Sequence, residues 1–228
     1  MTASEPIVET CDLCIVGAGI AGLNALFVAS QYLPCDARVV LVERKSRAGG
    51  MWNEVYDYVR LHQPYRMFTA GDIDWTLGCD PSYLATKPEV LGQFDHCLDV
   101  LRKRVDLVEY YDCEVVETTE VATSGSYAAR VVCKTLDKAA GRIEIRAKRA
   151  IKAFGFRVPV NKRIEFSSRA VHSLSPDLDD LNGGAISDDQ APIYIIGGGK
   201  TGMDTAHNMI KRFPGREVHL LIGKGTIF

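Results

Sequence analysis

Two stretches of this 228-residue chain repeat one another at a constant offset of 180 residues. The first reads Cys14-Ile15-Val16-Gly17-Ala18-Gly19-Ile20-Ala21-Gly22, the second Tyr194-Ile195-Ile196-Gly197-Gly198-Gly199-Lys200-Thr201-Gly202. The register holds beyond the glycines. Pro34 falls on Pro214, Val39–Val42 on His219–Ile222, and Glu43 on Gly223. Each copy is a short apolar run, a G-x-G-x-x-G, a helical stretch and a second apolar run. That order predicts a β-α-β unit, which demands a parallel sheet and a right-handed crossover. The fold class is therefore α/β, with two Rossmann-like parallel βαβ units.

The glycines have separate tasks in such a unit. The first makes a tight turn, the second lets backbone approach a pyrophosphate, and the third lets the helix pack close to the strand. The helix N-terminus offers unpaired N–H groups and a positive dipole end to the phosphates. A lone G-x-G-x-x-G says little, but each copy here follows a strand, opens a helix and precedes a second strand. Two dinucleotide sites are the reading. They differ at one position. Glu43 ends the second strand of the first copy, where a carboxylate accepts hydrogen bonds from ribose hydroxyls. Its counterpart is Gly223, followed by Lys224. Without the acid a 2′-phosphate is not repelled, and Lys224 can pair with it, so the second site suits NADPH better than NADH. Gly199-Lys200-Thr201 imitates the end of a Walker A loop, but Tyr194 stands where that motif needs its first glycine.

Between the copies, Glu43 leads into Arg44-Lys45-Ser46-Arg47-Ala48-Gly49-Gly50-Met51-Trp52, whose paired glycines suit a sharp turn or a close pass by a ligand. Trp52 reads either as core or as a neighbour of a flat ring. Tyr58 to Phe68 is rich in aromatic and hydrogen-bonding groups, with His62 and Gln63 as candidate polar contacts to a ligand. Pro88 to Arg104 reads as a helix, with Pro88 in its first turn and Val90, Leu91, Phe94, Leu98 and Leu101 as its apolar stripe. Leu107 to Val116 gives short extended runs. Tyr127 to Leu136 and Arg142 to Lys148 read as a β-hairpin joined through Asp137–Gly141, and Ala150 to Phe156 as a further strand. Residues 159–191 read as irregular, and their scattered aspartates match no metal-binding loop, so no metal is expected.

The formal net charge of -2 gives no electrostatic case for nucleic acid or an anionic membrane. No apolar run approaches a membrane span, and residues 1–10 lack the apolar core of a secretory signal. The seven cysteines are scattered and odd in number, which suits reduced thiols in a cytoplasmic protein. Cys11 and Cys14 form a C-x-x-C, but it leads into a buried strand and opens no helix, so nothing lowers a thiol pKa there.

Taken together, the first G-x-G-x-x-G, Glu43, Gly49-Gly50-Met51-Trp52, Arg60-Leu61-His62 and the second G-x-G-x-x-G resemble the class B flavin-dependent monooxygenases, the flavin-containing monooxygenases and Baeyer–Villiger enzymes. The resemblance covers nearly the whole chain, and Gly-Gly-x-Trp is its most specific part. It implies FAD in the first site and NADPH in the second. By the same resemblance, NADPH would reduce the flavin, and O2 would form a flavin hydroperoxide that oxygenates a small organic substrate. Gly17, Gly19, Ile20, Ala21 and Gly22 would hold the FAD pyrophosphate, and Glu43 with Arg44 the ribose side. Gly50, Met51, Trp52 and Val115 would lie along FAD, with His62 and Gln63 near the flavin and His62 as the candidate catalytic residue. Gly197, Gly199, Lys200, Thr201, Gly202 and Lys224 would hold NADPH. The implied division is an FAD-binding part at 1–158, a connection at 159–190 and the start of an NADPH-binding part at 191–228.

The sequence departs from that family's pattern in places. Its Phe-x-Gly-x-x-x-His fingerprint is matched by Phe166 and His172 but has Ser168 for glycine, and Pro176 stands where an aromatic is expected. The chain also stops just past the second repeat's second strand, so a missing C-terminal segment or a second chain is expected. The alternatives are a nicotinamide-dependent flavoprotein reductase that does not oxygenate, or a non-catalytic nucleotide-binding subunit.

Overall fold

The computed structural model describes residues 7–120, 127–136, 141–156 and 159–224. These fall into two compact units. One draws on Met1–Asn53, Tyr65–Tyr83 and Pro88–Phe156, the other on Glu54–Pro64, Leu84–Lys87 and Arg157–Phe228. The stretch from Tyr58 to Phe68, read above as one loop, is thereby shared: it belongs to the second unit as far as Pro64 and to the first from Tyr65.

The first unit contains β1 (Ile7–Val16), α1 (Ile20–Tyr32), β2 (Arg38–Val42), α2 (Lys87–Leu101), β3 (Asp106–Tyr110), β4 (Cys113–Glu120), β5 (Ala129–Thr135) and β6 (Arg142–Lys152). They build one six-stranded sheet in the order β3-β2-β1-β6-β5-β4. β1 pairs in parallel with both β2 and β6, and β2 with β3. β4, β5 and β6 form an antiparallel meander on the far side of β1. Val39, Val40, Leu41 and Val42 of β2 are all buried, as an uninterrupted apolar run in a parallel sheet requires. α1 buries Gly22, Leu23, Leu26, Phe27 and Ala29, a single helical face. α2 buries every member of its anticipated stripe, from Val90 to Leu101. Phe94, Leu98 and Leu101 are at most 2% exposed, and each such burial stabilises the fold by roughly 1.5–3 kcal/mol.

The hairpin is present as β5 and β6, although 137–140, in its anticipated turn, lie outside the described residues. The separate strand anticipated at Ala150–Phe156 is not found. β6 runs unbroken from Arg142 to Lys152, because its pairing with β1 keeps a single register from Ile7↔Ile143 to Val16↔Lys152. One long strand thus closes the hairpin and extends the parallel sheet.

The second unit holds α3 (Ala185–Asp188), β7 (Ile193–Ile196), α4 (Lys200–Arg212) and β8 (Val218–Leu221). β7 and β8 are parallel, with α4 between them in the chain, giving the second βαβ unit. Its core is Leu181, Ile195, Ala206 and Met209, with Tyr58 and Phe213 packed against it. Tyr58 belongs to a segment tied to this unit by Leu61 N–H donating to Ala85 O (2.9 Å) and Lys87 N–H to Val59 O (3.2 Å). Among the described residues no helix is long and apolar enough to cross a membrane, and no His/Cys/Asp/Glu group is arranged to hold a metal ion.

Candidate functional site

Each glycine turn sits where β1 or β7 ends and a helix begins, and the two have nearly the same geometry. Gly17 and Gly197 adopt φ of 107° and 119°, a region that L-residues rarely enter. Gly17 N–H donates to Val42 O (2.7 Å) and Gly197 N–H to Leu221 O (2.9 Å), which stitches each turn to the neighbouring strand. Gly19 and Gly199 cap their helices in extended conformation, and each accepts the first helical bond at 3.0 Å, from Leu23 and Met203 N–H. A Cβ on Gly22 would fall on Gly17 O, and one on Gly202 on Gly197 O. The third glycine of each motif is thus a steric necessity of the turn itself. Neither helix has a side-chain N-cap hydrogen bond.

The first turn has a second layer. Glu43 is 8% exposed. Its carboxylate accepts Ala18 N–H at 2.7 Å and Lys45 N–H at 2.9 Å, one on each oxygen. Each oxygen keeps a further lone pair, so the buried group is held in place with accepting capacity to spare. Gly49 N–H donates to Ala18 O (3.0 Å), which brings the Gly49–Gly50 loop across the turn. The crossing is so close that a Cβ on Gly50 would stand 3.0 Å from Gly19 Cα. Trp52 lies edge-on to Phe68, ring centroids 6.0 Å apart, while Met51 is exposed. Val115 lies on β4, just before a bulge and two residues beyond Cys113, whose N–H donates to Glu43 O (3.0 Å). The first unit therefore gathers Gly17, Gly19, Ile20, Ala21, Gly22, Glu43, Gly50 and Trp52 around the turn that follows β1, while Val115 is joined to them only through Cys113. Arg44 follows with an exposed side chain.

His62, exposed, and Gln63 belong to the second unit, with Gly197, Gly199, Lys200, Thr201, Gly202 and the exposed Lys224. On α4, Lys200 forms an ion pair with Asp204. Tyr56 OH donates to Asp204 Oδ2 at 2.9 Å. Thr205 Oγ1 donates to Thr201 O (2.7 Å) and so accepts from Tyr58 OH (2.9 Å). Burial raises the pKa of both tyrosines, so both are neutral hydroxyl donors near neutral pH. Sequence reasoning missed the Glu43-binding amides of Ala18 and Lys45, and it missed Tyr56, Tyr58, Asp204 and Thr205. The one available signal was an Asp four residues after Lys200 on the same helix face.

All seven cysteines are free. Cys11, Cys14, Cys113 and Cys133 lie in one apolar cluster of the first unit's core. Burial pushes Cys11 up to about 11 and Cys133 to about 12, and raises Cys14 and Cys113 as well. The C-x-x-C is a pair of packing residues, with thiols that stay protonated.

The pyridine nucleotide-disulphide oxidoreductase family matches residues 11–228. The chain belongs to that family. An uncharacterized protein of Mycobacterium tuberculosis is 25% identical over 224 residues, a match that takes in 86% of this chain and 35% of the relative. The chain thus spans about a third of the length of the curated relatives it matches. Among solved structures, cyclohexanone monooxygenase from Rhodococcus sp. Phi1 bound to NADP+ superposes with a TM-score of 0.57 at 18% identity, covering 97% of this chain and 39% of that one. A flavin-containing monooxygenase from Stenotrophomonas maltophilia gives 0.55 at 14%, covering 95% and 59%. The bacillithiol disulfide reductase Bdr of Staphylococcus aureus gives 0.63 at 14%, covering 96% and 59%. The fold is that of the class B flavin monooxygenases, shared with this reductase, and the anticipated α/β class with two βαβ units and a hairpin insertion is the one found.

Proposed function

We propose that this chain carries the FAD and NADPH sites of a flavin-dependent monooxygenase acting with O2 on a small organic substrate. The observation that carries the reading is the crossing of the Gly49–Gly50 loop over the Gly17–Gly19 turn, with Glu43 locked beside it. The Gly-Gly-x-Trp segment is what sets this pattern apart from a bare dinucleotide fold, and here a Cβ on Gly50 would press on Gly19 of the first turn, while one on Gly49, at φ 139°, would meet Leu91 and Asn53.

In this reading FAD supplies the redox chemistry when bound. The chain's own groups bind and orient. Amides at the start of α1 and α4 would face the two pyrophosphates, Glu43 would accept from ribose hydroxyls, and Lys224 would pair with a 2′-phosphate. The division into parts 1–158, 159–190 and 191–228, and the roles of Arg44, Trp52, His62, Gln63 and Val115, belong to the same proposal.

The family and the likeness to Bdr favour a second reading, a reductase that does not oxygenate. The buried, protonated Cys11 and Cys14 weigh against a disulphide on this chain as its electron acceptor. One experiment separates the two. The protein is loaded with FAD, reduced by NADPH without oxygen, and then mixed with O2. A transient absorbance distinct from both oxidised and reduced flavin, with oxygenated product on adding substrate, is the expected result. Direct reoxidation with hydrogen peroxide as the sole product refutes the monooxygenase.

A further inference from the structure

Lys200 is the first residue of α4 and Asp204 sits one turn on. Helix stability does not explain their pairing. A cation at a helix N-terminus opposes the helix dipole. Lys followed by Asp at i,i+4 is also the weaker order for such a pair. The carboxylate is nevertheless held firmly. Asp204 is only 17% exposed, and Tyr56, from a segment 148 residues away in the chain, donates to the same Oδ2 that meets Lys200. Thr205 and Tyr58 brace the adjoining position, and the Tyr56 and Tyr58 rings stack at 4.6 Å. Four side chains and a helix turn thus fix an anion close to the glycine turn of Gly197–Gly199, where the cation that meets it directly follows Gly199.

We propose that Asp204 is a surrogate anion for this turn: it holds the Lys200 ammonium in place of a nucleotide phosphate, and an incoming dinucleotide must displace it. This rests on the reading of Gly197–Gly202 as the NADPH site. Asp204 is a positioning residue here, acting through Lys200. Its effect is to weaken binding of the dinucleotide and hasten its release. Tyr56 stays with the carboxylate after the exchange and limits the cost of parting it from Lys200.

The test is NADP+ binding to the full chain by titration calorimetry at low salt, in wild type, Asp204→Asn, Lys200→Met and the double variant. Asp204→Asn should bind roughly twofold to fivefold more tightly than wild type, the scale of one partly exposed charge pair. Tighter binding is not a consequence of structural damage. In the Lys200→Met background the same change should have no effect, and Asp204→Glu, which keeps the charge, should keep wild-type affinity. Unchanged or weaker binding by Asp204→Asn, or the same gain without Lys200, overturns the proposal while leaving the NADPH site standing. Absence of NADP+ binding by the wild-type chain at millimolar ligand overturns both.

Discussion

The two glycines Gly17 and Gly19 do different work, and alanine substitution separates the two roles. At Gly17 an alanine must adopt φ near 107°, and its Cβ would lie 2.6 Å from Ala153 O and 2.9 Å from Phe154 Cα, both backbone atoms of the chain leaving β6. The backbone conformation alone costs ~1–3 kcal/mol. The overlap adds to it, since no flexible side chain can yield. Alanine's reduced freedom in the unfolded chain returns only ~0.4–1 kcal/mol. The net loss is about 3 kcal/mol, which at a urea slope of ~2 kcal/mol/M lowers the unfolding midpoint by about 1.5 M. At Gly19 the balance reverses. Its φ of -80° suits any residue, and the nearest atom to an added Cβ is Gly50 Cα at 3.5 Å, an ordinary contact. Gly19→Ala should match wild type or exceed it by ~0.5 kcal/mol. Both tryptophans, Trp52 and Trp75, belong to the first unit, so their fluorescence during urea unfolding follows this unit. Equal midpoints for the two variants, or a larger loss at Gly19, would refute the assignment of the turn to Gly17.

Gly19→Val should abolish FAD uptake while leaving the fold intact, read from bound flavin absorbance and circular dichroism. Lys224→Glu should weaken NADPH relative to NADH, measured as the ratio of their dissociation constants. Hydrogen bonds from Arg130 and Arg146 hold the Glu144 carboxyl down at about 2 against an ordinary 4.5. That pairing stabilises the fold at all pH values above about 4.5, and the contribution fades as pH falls to about 2. Glu144→Gln should therefore be less stable than wild type at pH 7, with the gap closing below pH 4.5 in urea midpoints taken across that range. Native alkylation with iodoacetamide, read by mass spectrometry, should label the exposed Cys35 and spare Cys11, Cys14 and Cys133.

The glycine turns were legible in the sequence because their requirements are local. A positive φ and a missing Cβ leave a mark on three positions, and both turns carry it. The α2 stripe was legible for a similar reason, since periodicity records which face is buried. The extent of β6 was not. Arg149 looks like a break, yet the strand runs through it because β1 holds the same register on either side, with Leu13 opposite Arg149. The Asp204 cluster was hidden by distance: nothing near Lys200 in the chain announces Tyr56, and hydroxyl–carboxylate contacts leave no periodic trace. Glu43 was recognised for a ligand it would bind, while the amides of Ala18 and Lys45 that already hold it carry no side-chain signature at all.

The thiol cluster has a consequence for handling the chain. Four sulfurs share one apolar interior, shielded by nothing but the tertiary fold around them. Loosening that interior in an oxidising solution releases them together, close enough in the collapsed chain to cross-link in non-native pairs. Refolding from denaturant should then recover native protein in the presence of a reductant and stall in its absence, which makes the reversibility of unfolding a matter of redox conditions as much as of temperature or urea.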